Sequence, residues 1–565
     1  GYLNGIISGV EKMINEIENL LINTILDSLK ENGYAINFDE FKVNIEIPKD
    51  NKNGDYSTNV AMQLTRILRK NPQLIAKEIV EKIDKEKSNI EEIQIAGPGF
   101  INIFMKKGTL GTIINKVIEQ DEAYGRSNSA EGKSIDVEFV SANPTGDLHL
   151  GHARQAALGD SICRLLDAAG YKVTREYYIN DAGNQIHNLA LSLKARYYEL
   201  LGRDDVALPE DGYHGEDVKN IAKTLIEEVG DKYLDKEDEE TYWFFRNYGK
   251  DKELEKLKKD LNDFRVTFDV WSSEIKVRED GFIEKALSIL KEKGYIYENE
   301  GATWFRSTAF GDDKDRVVIK SDGSYTYLTP DIAYHVNKLE RGYDYLVDIL
   351  GADHHGYIAR LKATIQALGY EQDKLSVELV QMVRLIKDGA EFKMSKRTGN
   401  AMTIKELCQE VGTDSVRYFF VARSASSHLD FDMDLAIKSS SDNPVYYAQY
   451  AHARTCQVLE LSKKHEFKEA TTFELLSNPK EIDLIKYIGE FPSVVSDAAK
   501  TFSPYKITNY VQKLAQLFHT FYNECKVIDS ANEELSSQRL ALVKASKIVI
   551  RNALNLVGVS APNKM

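Results

Sequence analysis

Ile135-Asp136-Val137-Glu138-Phe139-Val140, then Asn143-Pro144-Thr145-Gly146, then His149-Leu150-Gly151-His152 running on to Leu166, is the stretch whose reading decides the fold. The first six residues are rich in apolar side chains and predict a strand. Asn-Pro-Thr-Gly is turn chemistry, and the apolar spacing from His149 through Leu166 predicts a helix. Strand, glycine-containing loop and helix in that order open a parallel α/β nucleotide-binding fold of the Rossmann type. Further along, Tyr345-Leu346-Val347-Asp348-Ile349-Leu350 leading into Gly351 reads as a later strand of the same kind. Residues 190–295 between them are charged and largely helical in pattern, as in Lys250 to Leu261, and are expected to be an insertion that elaborates one crossover. A Rossmann-type domain is therefore expected over 111–439.

Upstream, residues 1–110 read as a small α/β domain. Glu11-Lys12-Met13-Ile14-Asn15-Glu16-Ile17 has helical spacing, Phe41 to Ile47 alternates like a half-buried strand, and Gly97-Pro98-Gly99 turns into a strand at Phe100-Ile101-Asn102-Ile103-Phe104. Downstream, 440–565 is helix after helix: Tyr446 to Leu461, Ile482 to Phe502, Pro504 to Tyr522 and Ser537 to Leu556. An all-α bundle is expected there. No internal repeat or low-complexity tract interrupts the chain.

With 565 residues, 42% hydrophobic and 28% charged, the chain has the composition of a multidomain globular protein. No run approaches the roughly 18 apolar residues of a membrane helix, so no membrane partner is expected. The opening Gly1-Tyr2-Leu3-Asn4 lacks the basic-then-apolar pattern of a secretory signal, and the four cysteines stand far apart with no zinc or redox spacing. Both point to a cytoplasmic protein without a structural metal. A net charge of -15 argues against a nucleic-acid partner, yet from Ser441 onward Lys and Arg slightly outnumber Asp and Glu, so an RNA contact there is permitted.

His149 and His152 stand three apart where a helix begins, on one face of a terminus whose free amides favour anions. Gly151 between them clears space for a nucleotide. The same pair is also compatible with simple capping or with a metal. Lys393-Met394-Ser395-Lys396-Arg397 places three cations in a loop before Gly399-Asn400, suited to closing over a polyphosphate or to plain solvation. Each signal alone is weak; both beside predicted α/β elements are strong together.

These two motifs resemble those of class I aminoacyl-tRNA synthetases, with Leu150 where Ile is commonest and Arg397 where Ser is. Glu138 through Gly146, Tyr178-Ile179-Asn180-Asp181-Ala182-Gly183-Asn184-Gln185 and Tyr327-Leu328-Thr329-Pro330-Asp331 narrow the resemblance to the arginyl-tRNA synthetases of bacterial type. It extends to Gly54-Asp55-Tyr56-Ser57-Thr58-Asn59, similar to that family's N-terminal tRNA-binding domain, and to Asn443 through Arg454, similar to the start of its anticodon-binding bundle. Ser272 departs from it, where an aromatic is expected. Lys396 is present, and the lysine that some members carry just before the histidine motif is absent, Gly146 and Asp147 standing there.

The resemblance implies ATP with Mg²⁺ as a substrate complex, L-arginine and tRNA(Arg) as the other substrates, and a monomer. It implies catalytic roles for His149, His152, Lys393 and Lys396. Gly151, Gly351, Asp353, His354 and Met394 are expected to join them around ATP. Glu138, Ser141 and Asn143 would hold the polar head of arginine, with His354 nearby. Tyr327 and Asp331 would take its guanidinium, since a carboxylate matches that planar fork. On spacing alone Asp331 equally suits the N-terminus of a helix capped by Thr329 with Pro330 at its first position. His354-His355 likewise admits a metal reading.

Overall fold

A computed structural model of the chain describes residues 15–393 and 401–565. At the N-terminal side, Asn15 caps the helix Glu16–Glu31 by accepting from the Glu18 amide at 2.7 Å. Three antiparallel strands follow, Phe100–Met105 lying between Tyr56–Thr58 and Ile90–Ala96. Gly97 and Gly99 make the connecting turn with φ of 56° and 135°. The strand expected at Phe41–Ile47 does not form: Val43 and Ile45 are buried, but only Glu46 pairs, with Ser57. Tyr56–Thr58 is too short to template more.

The central sheet is wholly parallel. Its strands are β1 (Ser134–Glu138), β2 (Lys172–Ile179), β3 (Val270–Ser273), β4 (Tyr345–Gly351) and β5 (Leu375–Val380), in the spatial order β5-β4-β1-β2-β3. Strand order reverses between β1 and β4, where a crevice opens beyond the carboxyl ends of both strands. The helix α1 (Leu150–Ala168) leaves β1 at that point. Between β2 and β3 the chain builds Asn184–Leu200, Glu216–Val229 and α2 (Glu239–Asp263), the first two packing with Phe245 of α2 into a separate core. The segment 190–295 is thus not insertion throughout: β3 inside it is the edge strand of the sheet. Ser272 on β3 donates to Glu176 of β2 at 3.0 Å, joining Tyr334 and Arg341 as partners of that buried acid. Two further helices flank the crevice, α3 (Leu328–Glu340) and α4 (Tyr357–Ala367).

From Pro444 onward the described elements are all helices: Pro444–Ser462, Pro479–Gly489, Phe491–Lys500, Tyr505–Glu524 and Glu533–Leu556. The single helix expected from Ile482 to Phe502 breaks after Gly489, because Pro492 lacks the amide needed to continue and serves instead in the first turn of the next helix. This bundle is tied to the sheet domain by Tyr124 Oη donating to the Ile488 carbonyl at 2.8 Å and Asn552 Nδ2 to that of Asp121 at 2.9 Å. Among the described residues no helix is long and apolar enough to cross a membrane.

Helix α1 approaches β1 closely at Gly159, where a Cβ would stand 2.2 Å from the Phe139 ring. Gly159→Ala should therefore lower thermal stability: the helix-propensity gain of about 1 kcal/mol is outweighed by overpacking of roughly 1 to 3 kcal/mol or more. A melting temperature equal to or above the parent's would contradict this packing.

Candidate active site

The chain leaves β1 through two consecutive left-handed residues, Val140 (φ 70°) and Ser141 (φ 47°). For a β-branched residue such a conformation is costly, about 1 to 3 kcal/mol, and surrounding bonds must impose it. Ser141 Oγ donates to Glu138 Oε2 at 2.9 Å and accepts from the Tyr178 amide at 3.1 Å, while Tyr177 Oη donates to the Ala142 carbonyl at 2.7 Å. Asn143, exposed, donates through Nδ2 to Gln185 Oε1 at 2.7 Å. Glu138 and Ser141 are thus together, and Asn143 faces the first turn of the helix Asn184–Leu200.

The loop delivers His149 to the N-cap position of α1, where its amide donates to His152 Nδ1 at 3.3 Å and the two rings stack with centroids 6.2 Å apart. Burial, and then the neighbouring His149, hold His152 below the usual histidine range, so it is neutral at pH 7. Gly151 faces open space. Its missing side chain leaves the helix terminus accessible, as an anion site requires. Gly351, at the end of β4, lies beside the second turn of α1, 3.6 Å from Gln155 Nε2 measured from where a Cβ would stand. Asp353 and His354 follow on the surface, 3.8 Å apart.

Two features bring the segments that flank the second motif to the first. His149 forms a β-bridge with Thr403, and the Ile404 amide donates to the Leu148 carbonyl at 3.0 Å. Arg154, fully buried, donates to the carbonyls of Gln381, Ser424 and Ser427 at 2.8, 2.9 and 2.7 Å, locking α1 to the base of the hairpin Val383–Glu391. Lys393, exposed, continues from that hairpin. Met394 and Lys396 lie outside the described residues.

On the other side of the crevice, carboxylates converge. Lys338 of α3 is fully buried and donates to Glu138 Oε1 at 2.5 Å and Asp348 Oδ1 at 2.9 Å. Asp348 also meets His335 Nε2 at 2.6 Å, and His335 Nδ1 holds the Asp331 carbonyl at 2.7 Å. Burial alone would raise Asp348; Lys338 and His335 more than reverse that and depress it far below the carboxylate range. Among the described residues no cation is bonded to the carboxyl of Asp331. Burial pushes its carboxyl up to about 6, with His335 and the Tyr357 hydroxyl only partly opposing the rise. Tyr178, whose hydroxyl donates to Glu274 at 2.8 Å, stacks on Tyr334 and also faces Asp331 and Glu138.

Tyr327 is 94% exposed and does not share the enclosure of Asp331, although both lie on the first turns of α3. Thr329 is not the cap of this helix: Tyr327 takes that position, and Thr329 Oγ1 is buried against the Val318 carbonyl at 2.6 Å. Tyr178, Glu274, Lys338, His335 and Tyr357 are pocket residues that sequence reasoning missed. Tyr178 stood in a quoted motif, and His335 and Lys338 stand four and seven residues after Asp331 on the same helix, a helical spacing that could have pointed to them; nothing in the spacing of Glu274 or Tyr357 relates them to Asp331. Among the described residues no three of His, Cys, Asp and Glu converge as a metal site.

A Rossmann-order sheet with a histidine pair at the switch point, joined by backbone pairing to the segment after a Lys-Met-Ser-Lys loop, defines a class I aminoacyl-tRNA synthetase catalytic domain. Residues 113–432 match the family described as tRNA synthetases class I (R), catalytic domain; residues 15–105 match the arginyl tRNA synthetase N terminal domain, and 448–565 the DALR anticodon binding domain. The chain belongs to the arginyl-tRNA synthetase family. It is similar to the arginine–tRNA ligase of Bacillus licheniformis, 55% identical over 98% of this chain and 100% of the relative, and to that of Bacillus subtilis, 58% identical over 92% and 94%. A solved chain from Campylobacter jejuni carrying the same family name superposes with a TM-score of 0.75 at 38% identity, over 82% of this chain and 100% of that one. The arginyl-tRNA synthetase of Thermus thermophilus shares the fold, with a TM-score of 0.73 at 21% identity over 97% and 100%.

The raised carboxyl of Asp331 has a consequence for stability. A folded-state pKa of about 6 against an ordinary 3.8 means that ionisation is penalised in the folded protein, so stability is lost as pH rises from 4 through 6. Asp331→Asn removes that penalty, and the variant should be more stable than the parent at pH 8 by up to about 3 kcal/mol, with no advantage at pH 3. Thermal melts at the two pH values check it.

Proposed function

We infer that the chain is an arginine–tRNA ligase, and that the carboxylate pocket between β1, β4 and α3 is where L-arginine is held. The observation that carries this reading is the pairing of an acid cluster already bonded to Lys338 with one half-buried carboxyl, Asp331, to which no cation among the described residues is bonded. Arginine carries a cation at each end. Its guanidinium would sit on Asp331 with Tyr357 alongside, ionising the carboxyl as it arrives, and Tyr327 would fold over it from its solvent-exposed position. Its ammonium would lie by Glu138 and Ser141, with Asn143 and His354 at the margin.

The reaction runs in two steps. An oxygen of the arginine carboxylate attacks the α-phosphorus of ATP, the bond to the β-phosphate breaks, and pyrophosphate leaves with the bonding pair. A ribose hydroxyl at the 3′ end of tRNA(Arg) then attacks the arginyl carbonyl carbon and AMP departs. No enzyme nucleophile is required; the chain supplies position and charge. The α1 amides with His149, Gly151 and His152 would receive the phosphates, Gly351 and Asp353 would border the nucleoside, and Lys393 with Met394 and Lys396 would close over the polyphosphate. Mg²⁺ enters with ATP as part of the substrate. The protein would work as a cytoplasmic monomer.

Charging of total tRNA with each labelled amino acid separately tests the activity, and incorporation of any amino acid other than arginine would overturn it. Asp331→Asn should weaken arginine by roughly 3 to 5 kcal/mol while leaving tRNA affinity unchanged, and in the parent arginine affinity should decline as pH falls below about 6. Lys396→Ala should slow pyrophosphate exchange into ATP with tRNA affinity intact; a normal exchange rate would remove the loop from the mechanism.

A further inference from the structure

Helix α2 belongs to two cores at once. Phe245 in its first half packs in the separate core between β2 and β3, whereas Leu254, Leu257 and Leu261 in its second half join the main core of the protein. The polar face of that second half carries Glu253, Lys256 and Asp260, aligned at helical spacing. This face is turned toward the loop that precedes the histidine pair.

Lys256 Nζ contacts Asp217 of the helix Glu216–Val229 and reaches Asp147 Oδ1 at 3.3 Å, two residues before His149. Glu253 is fully buried 3.8 Å from the same ammonium, and only as the neutral acid does it find a partner, the Asp217 carboxylate. Burial and then Asp217 push Glu253 up to about 9, and Asp217 and Asp147 are the two carboxylates closest to the ammonium. Asp260 faces Asp147 and Lys405, which follows the Thr403 bridge to His149. The Tyr213 hydroxyl meets Thr145, and Gln185 accepts from Asn143 and Thr145 at 2.7 and 3.3 Å. Residues from between β2 and β3 therefore hold the loop 143–147 at three points, and Lys256 is the one nearest the histidines.

We propose that Lys256 is a positioning residue for ATP activation: by joining Asp217 to Asp147 it sets where the loop places His149, so that the helices between β2 and β3 act on the adenylation step. An isolated exposed pair would contribute little, but this ammonium is one member of a network whose other end is buried. Small displacements at the entry of α1 translate directly into misplacement of the phosphate-facing amides.

This inference rests on the ligase reading, and its test separates the two. Pyrophosphate exchange into ATP, with arginine and tRNA present, is measured for Lys256→Met, Asp147→Asn, the double variant and Lys256→Arg. Each single variant should lose about 10- to 100-fold in kcat with an unchanged KM for arginine. The double variant should be no worse than either single, and Lys256→Arg should recover most of the rate. Undiminished kcat in both singles, or losses that multiply in the double, overturns the proposal. Amide hydrogen exchange gives a readout that needs no activity. Residues 143–150 should exchange faster in Lys256→Met and in Asp147→Asn, with α3 unchanged, and parental protection of the loop in Asp147→Asn overturns the proposal whatever the catalytic result. Exchange by the parent without arginine would instead sink the ligase reading.

Discussion

Lys338 is the residue on which the arrangement of the crevice depends. Its ammonium, removed from water altogether, bridges Glu138 and Asp348, which are register partners on β1 and β4 at the point where strand order reverses. A buried ammonium is tolerated only when its charge and hydrogen bonds are answered, and here two carboxylates answer it. The same side chain orients Glu138, whose other oxygen receives Ser141 and so helps hold the left-handed exit from β1. Removing Lys338 would leave two buried acids competing for His335, and the two walls of the crevice would lose their common support.

Helix α3 carries this bridge and the Asp331 carboxyl on one rigid element. Lys338 and Asp331 lie seven residues apart, two helical turns, and His335 between them links the Asp331 backbone to Asp348. The cations are distributed unequally: Lys338 and His335 both bond Asp348, whereas among the described residues none bonds the Asp331 carboxyl. Asp331 therefore ionises at a cost in the folded protein, and perturbed acids of this kind cluster at functional sites.

The ATP side is organised by different means. Arg154 secures α1 through carbonyls alone: its two terminal nitrogens donate to three of them, while its buried Nε has no partner among the described residues. The bridge between His149 and Thr403 sets the far end of the cationic loop against the helix terminus. Backbone pairing and buried guanidinium bonds thus join segments some 250 residues apart in sequence, while the carboxylates stay on the opposite wall.

Several features were determined by the sequence alone. Local chemistry was sufficient for β1, the turn at Asn143–Gly146 and α1, because strand patterning, turn residues and helical spacing are short-range signals. The Gly97–Gly99 turn and the helices from Pro444 onward were legible for the same reason, and the histidine and lysine motifs together suggested phosphate chemistry. Tertiary structure decided the rest. A four-residue β3 has too little pattern to stand out from the helices around it, and Phe41–Ile47 alternates correctly yet has no adequate neighbour to pair with. Pairings such as Lys338 with Glu138, Tyr357 with Asp331 and Lys256 with Asp147 join residues that no periodicity connects, because they meet only when separate elements pack. Which acids are compensated, and which one is left for a ligand, is a property of that packing: burial and distance set the charge of a carboxyl, and neither is written in its immediate neighbours along the chain.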